Sequence, residues 1–465
     1  MKKYLKKAIV LAGAITYVSA FSLGNVDLNN KGENTYIPSY NSFFSNNNDI
    51  QVINTKQMQV IKQASMNSLT SYWQYKAKPK NENQLVSAEV AYFNKLKIPY
   101  GGGIGEGWDN PLNIQQDLTF RLDEVNCVTV VQDIMGIILA EEHENVYNFF
   151  FEAFKKGLYS VSYGAFPSSL GKTYENRNNF VSSDFNKVNN KLGYIQDVTA
   201  DLGLKYNRFP AGAKNKTINH SGWFNKQKNN LSNIHIADIN LSNKQAIVDK
   251  FTSKEYGANF PNESVSMNYI PKDLFYTKQG DDYYANTNNI KKLMADNIPK
   301  IVEFVRDDSK WIIAGKPIST LIGSDILVSH LGILYNATFN KGDVIYNQIN
   351  CAEDDGMKVC KVIPVKCSEN TCKKVMLFMA SNAYPNSYVL SKNNSNKIAC
   401  TDPTKVPSGY TIERNVITNN DLTCNRAFSM PFGDYFIHKM YNKYPYIDSQ
   451  SILGINLQKI TMFNA

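Results

Sequence analysis

The feature that most constrains this chain is a long apolar helix pattern behind a capping asparagine. After Asn126 and Cys127, the residues Val128, Val131, Ile134, Met135, Ile138 and Leu139 recur at three- and four-residue spacing. That spacing predicts a buried helix running to about Leu139. Asn126 is a favoured N-cap type, which makes Cys127 the first helical residue. A thiol there feels the positive pole of the helix dipole, which favours the thiolate, its reactive form. Cysteine is also often a small buried hydrophobe, so position alone does not separate a nucleophile from a core residue.

The other cysteines sharpen the choice. Cys351, Cys360, Cys367, Cys372, Cys400 and Cys424 cluster late in the chain, whereas Cys127 stands alone before them. Six clustered cysteines and one distant one fit three disulfides plus a free thiol in an exported protein. Nearest-neighbour pairing, Cys351–Cys360, Cys367–Cys372 and Cys400–Cys424, is the expected connectivity. No CxxC and no nearby histidine supports a zinc site in that region.

Export is read from the first twenty residues. Lys2, Lys3, Lys6 and Lys7 form a basic start, Ala8 to Val18 an apolar run, and Val18-Ser19-Ala20 a small-residue cleavage site. The mature chain is expected to begin near Phe21, in the periplasm or outside the cell. No later stretch is long and apolar enough to span a bilayer. The formal charge of +9 includes the four lysines of that segment, leaving 9 − 4 = +5. With no basic run interleaved with aromatics, nucleic acid is not an expected partner.

Along the chain, residues 21–50 are rich in Asn, Ser and Gly and read as a disordered leader. Two helices, Lys56 to Ala77 and Asn83 to Leu96, make 51–96 a helical extension. Residues 97–465 form the main domain, with cysteine-rich insertions at about 349–430. Gly101-Gly102-Gly103-Ile104-Gly105-Glu106-Gly107 is not a dinucleotide loop, since no strand precedes it and no helix opens at its end. Further helices are expected at Asn145 to Gly157 and Asn288 to Val305. Strands are expected at Gly323 to Tyr335, Asp343 to Asn347, Lys358 to Val365, Lys374 to Ser381, Tyr388 to Leu390 and Ile452 to Ile460. Helices first and then an antiparallel sheet make an α+β fold.

A cysteine hydrolase needs an imidazole to pass the proton and a polar group to fix the imidazole tautomer. His143 lies in the charged Glu141-Glu142-His143-Glu144 run, and His235 and His438 have no partner pattern. His220, beside Ser221 and Trp223, is placed to line a cleft. His330 follows Asp325 and Ser329 within a strand of apolar residues. A helix-terminal cysteine with a strand-borne histidine is the papain-like layout. There is no HExxH and no GxSxG to support a metal or serine hydrolase.

Four blocks in order resemble the NlpC-type, papain-like cell-wall hydrolases, and within them the N-acetylmuramoyl-L-alanine amidase-like branch. They are Ile98-Pro99-Tyr100-Gly101-Gly102-Gly103; Val125-Asn126-Cys127-Val128-Thr129-Val130-Val131-Gln132; Tyr269-Ile270-Pro271-Lys272; and Gly323-Ser324-Asp325-Ile326 with Val328-Ser329-His330-Leu331-Gly332-Ile333. The resemblance runs from about Lys97 to Ile333, with a weaker match at Leu453-Gly454-Ile455. It implies a papain-like core with the nucleophile at a helix N-terminus, packed on an antiparallel sheet.

The resemblance further implies Cys127 as nucleophile, His330 as base and Tyr100 beside the thiol. Tyr269, His220 and Trp223 are candidate substrate contacts. The family's third polar residue has its counterpart in Leu377-Phe378-Met379-Ala380-Ser381, which puts Met379 where a histidine is expected. Ser381 and Asn382 are the candidate substitutes. The implied substrate is peptidoglycan or its fragments, cut at the amide between N-acetylmuramic acid and L-alanine, with no cofactor and no metal. A stem-peptide cut between D-glutamate and the diamino acid is the first alternative. A catalytically silent wall-binding or host-facing protein is the second.

Overall fold

The computed structural model describes residues 65–73, 81–96, 98, 120, 122, 125–142, 150–164, 177–178, 180–209, 216–223, 262–280, 282–313, 316–354, 357–381, 388–392, 398–401, 410–413, 426–441 and 451–462. The expected export signal and leader lie outside them, as do Tyr100, His143, His235, Asn382 and Cys424.

An antiparallel sheet of eight strands organises the fold. In chain order they are β1 (Ile195–Asp197), β2 (Asn207–Phe209), β3 (Met267–Pro271), β4 (Lys300–Arg306), β5 (Val328–Asn340), β6 (Thr371–Ser381), β7 (Arg426–Pro431) and β8 (Ile452–Ile460). Across the sheet the order is β7-β6-β5-β4-β8-β3-β2, with β1 also on β8. Helices α1 (65–73), α2 (Glu82–Leu96), α3 (Cys127–Glu142) and α4 (Phe150–Tyr163) cover one face. Helix α5 (Phe432–Tyr441) and the short helix Thr287–Leu293 cover the other. The mixed α+β class is therefore as expected.

The alternation of strand side chains divides the core in two. Leu331, Ile333, Phe378 and Ala380 pack with Val130, Val131, Ile134 and Ile138 of α3. Leu334, Leu377 and Met379 face the other way, against Phe432, Tyr435 and Phe436 of α5. Because α3 is flanked by both the sheet and α4, its apolar residues are buried nearly all round.

Three element assignments are corrected. The helix expected over Asn288 to Val305 is a helix only at Thr287–Leu293; Lys300–Arg306 is the fully buried strand β4. Pro299 interrupts the helical pattern, and Ile301, Val302, Phe304 and Val305 are β-branched or aromatic residues suited to a central strand. The helix expected at Asn145 to Gly157 is described from Phe150 and continues to Tyr163. Gly157 lies inside it because α3 passes close by: a Cβ there would stand 2.9 Å from the Gly136 carbonyl oxygen. The helix ends at Gly164, whose φ of +82° suits only glycine well.

The strand expected from Gly323 begins at Val328, since Ile318–Ile322 form a short helix capped by left-handed Gly323. The closing strand β8 has the expected bounds. The cysteine-rich stretch builds its own five-stranded sheet from 344–354, 357–366, 398–401, 388–392 and 410–413. Cys367–Cys372 is a disulfide, as expected, and Cys351 lies opposite Cys360 in that sheet's ladder.

Candidate active site

The site begins at the N-terminus of α3. Asn126 caps it, its side-chain oxygen accepting from the Val128 N–H at 2.9 Å and the Thr129 N–H at 2.8 Å. The Thr129 hydroxyl in turn accepts from the Asn126 N–H at 2.9 Å. This reciprocal pair consumes donors that a helix start otherwise leaves open. It also fixes the first turn that carries Cys127. Asn126→Ala is expected to cost about 1 kcal/mol of stability by denaturant unfolding.

Cys127 is the free cysteine among the described residues and is buried. Burial pushes its thiol up to about 11. The backbone N–H groups of Leu331, Cys127 and Val128 oppose that shift without overcoming it. The helix terminus acts in the expected direction, but desolvation of the buried thiolate is the larger effect. The thiol is protonated at neutral pH.

The contact with Leu331 fixes the neighbourhood, because Leu331 follows His330. Between Val328 and Leu331 the ladder to β4 slips by one residue: Val328 faces Val305, whereas Leu331 faces Glu303. Ser329 and His330 occupy this bulge, a device that re-aims side chains at the edge of a site. His330 is half-buried, with its Nδ1 enclosed. Arg306 braces the bulge through its Nε to the Ser329 hydroxyl and its Nη1 to the Ser451 hydroxyl at 2.6 Å. Its guanidinium lies 4.7 Å from the Trp311 ring centre. None of Arg306, Ser451 or Trp311 is suggested by sequence, since strand register alone brings them together.

Met379 fills the core on the α5 side and is fully buried. It packs against the chain at Gly332, where a Cβ would be 3.2 Å from its own. Its thioether cannot hold an imidazole tautomer by a strong hydrogen bond. Ile333 lies opposite Phe378, so continuing the ladder puts the Ser381 backbone level with His330.

The remaining candidates separate. Tyr269 sits in β3 opposite Asn207, half-buried on the sheet. Trp223 and His220 both pack edge-on to Phe180, at 5.1 and 5.2 Å between ring centres. Their segment is tied to the loop before β5: Asn219 N–H donates to the Ser324 hydroxyl at 2.8 Å and Thr217 N–H to Asp325 at 3.0 Å. The Ser324-Asp325 block thus holds this neighbouring strand, Lys216–Asn219, in place.

Another buried ionisable group lies one strand away. Glu303 has no exposed surface, accepts from Asn186 at 2.9 Å, and is driven toward its neutral form by burial.

A family model described as N-acetylmuramoyl-L-alanine amidase-like matches residues 109–348, just over half of the chain. The matched segment contains both Cys127 and His330. No curated protein sequence matches the chain. Among solved structures, the crystal structure of a Legionella pneumophila protein of family model DUF1460 aligns at 17% identity with a TM-score of 0.48. That alignment covers 88% of this chain and 97% of the other.

Proposed function

Since the chain belongs to the N-acetylmuramoyl-L-alanine amidase-like family, we propose that it is an exported cysteine amidase acting on peptidoglycan or muropeptides. The observation that carries this reading is the helix-terminal Cys127 against the Leu331 amide, next to His330, within the matched segment. A papain-like core is the arrangement that this pairing of helix and strand fits.

The thiol's position near 11 shapes the mechanism. Cys127 enters the reaction protonated, so His330 takes its proton as Sγ attacks the lactyl carbonyl carbon of N-acetylmuramic acid. The backbone N–H at Cys127 is a donor for the oxyanion that forms. As the tetrahedral intermediate collapses, the C–N bond breaks and His330 returns the proton to the L-alanine amine. The muramoyl thioester left on Cys127 is then hydrolysed by water, with His330 as base. Arg306 is a positioning residue, holding Ser329 and with it the bulge that carries His330.

Two experiments bear on this reading. Alkylation of Cys127 by iodoacetamide is expected to rise about tenfold per pH unit from pH 7 to 10, as the thiolate fraction of a thiol near 11 grows. A rate already level below pH 8 would show a preformed thiolate–imidazolium pair instead. For the bond cut, the mature protein and Cys127→Ala are incubated with muropeptides and the products weighed. Free stem peptide supports the amidase. A shortened stem moves the cut to the D-glutamate bond, and no product supports a silent wall-binding role.

A further inference from the structure

We propose that Asp184, His220 and Glu263 form a site for one divalent transition-metal ion, with zinc best suited to the donor set. One donor atom from each residue lies within 4.8 Å of the other two. The His220 Nε2 and Asp184 Oδ1 are 3.5 Å apart. One imidazole and two carboxylates are nitrogen and oxygen donors of the kind zinc takes, and three protein ligands leave a fourth position for water. The spacing along the chain carries no metal motif, because the three come from separate segments. Asp184 is in the π-helical turn Val181–Phe185, Glu263 is in the strand Asn262–Val265, and His220 follows the strand Lys216–Asn219 paired with it.

The ligands are held as metal ligands usually are, by partners behind them. The Phe180 N–H donates to Asp184 Oδ2 and the Ser183 hydroxyl to Oδ1, each at 2.9 Å. The His220 ring is set edge-on against Phe180. Side-chain exposures of 16%, 15% and 27% for Asp184, His220 and Glu263 leave the group reachable from solvent yet partly shielded. Burial drives the Asp184 carboxyl upward, and His220 works against that shift. A bound cation would offset the same desolvation. Lys187 now makes an ion pair with Glu263, but it is 70% exposed and its ammonium is free to return to water.

The consequence is mechanical. A cation here would fasten the strand pair 216–219/262–265 to the π turn. The first of these strands also grips Ser324 and Asp325, a few residues before His330. The site is independent of the amidase reading, and its test does not use activity.

The test uses the untagged mature chain carrying Cys127→Ala, which removes the free thiol as a second zinc ligand. After treatment with chelator, zinc is titrated calorimetrically, with magnesium and calcium in parallel. One zinc per chain is expected, with a raised unfolding midpoint. His220→Ala and Glu263→Gln are each expected to weaken binding by more than about tenfold and abolish the midpoint rise. Lys187→Met, which removes the competing ammonium, is expected to tighten it. Absent zinc binding in the parent overturns the proposal, as does binding that persists unchanged in Glu263→Gln, the variant least disruptive to the fold. Preference for magnesium or calcium overturns the zinc assignment.

Discussion

Cys127→Ala is expected to lower the rate of muropeptide amide hydrolysis by about 10⁴-fold or more, with little change in stability. The alanine keeps the helix start, since the cap is made by Asn126 and Thr129 and not by the sulfur. His330→Gln is expected to cost about 10³-fold, and the double variant no more than Cys127→Ala alone. Residues that act as one unit do not add. The measurement is chromatographic release of stem peptide, with denaturant unfolding alongside. If His330→Gln retained full rate, the base would have to be sought elsewhere.

The largest structural effect is expected at Gly454→Ala. A Cβ there would lie 1.9 Å from the Ile270 carbonyl oxygen and 2.8 Å from its carbon. Both are backbone atoms, so no side chain can swing aside. Gly454 pairs with Pro271 at a bulge in β8, between two neighbours of the central sheet. Relief requires β3 and β8 to part, and a loss of more than about 3 kcal/mol is expected from the shift in denaturant midpoint. Gly193→Ala is the control. It carries φ of +75° but has nothing within 4 Å of its added Cβ, so about 1 kcal/mol of backbone strain is all it should show.

Much of the fold is legible where periodicity is unopposed. Helix α3 is readable because its apolar spacing and its asparagine cap agree, and β8 because Ile452–Ile460 alternates and is bounded. Strand β4 is misread for a physical reason. Apolar positions from Ile290 to Val305 also fit a helical period, and a central strand buried on both faces has no alternation to betray it. The candidate site divides in the same way. Cys127 and His330 are each visible in their local pattern. The bulge, the Arg306 brace and the Asp184–His220–Glu263 group are not, because each depends on which strands or turns lie side by side.

A thioester on Cys127 adds mass to the protein, so the covalent intermediate can be weighed. The protein is mixed with muropeptide, quenched in acid within a turnover, and analysed intact and as digested peptides. An added muramoyl acyl mass is expected on the peptide containing Cys127, removed by hydroxylamine and absent from Cys127→Ala. Stem peptide released equally by both proteins, with no adduct on either, would contradict it.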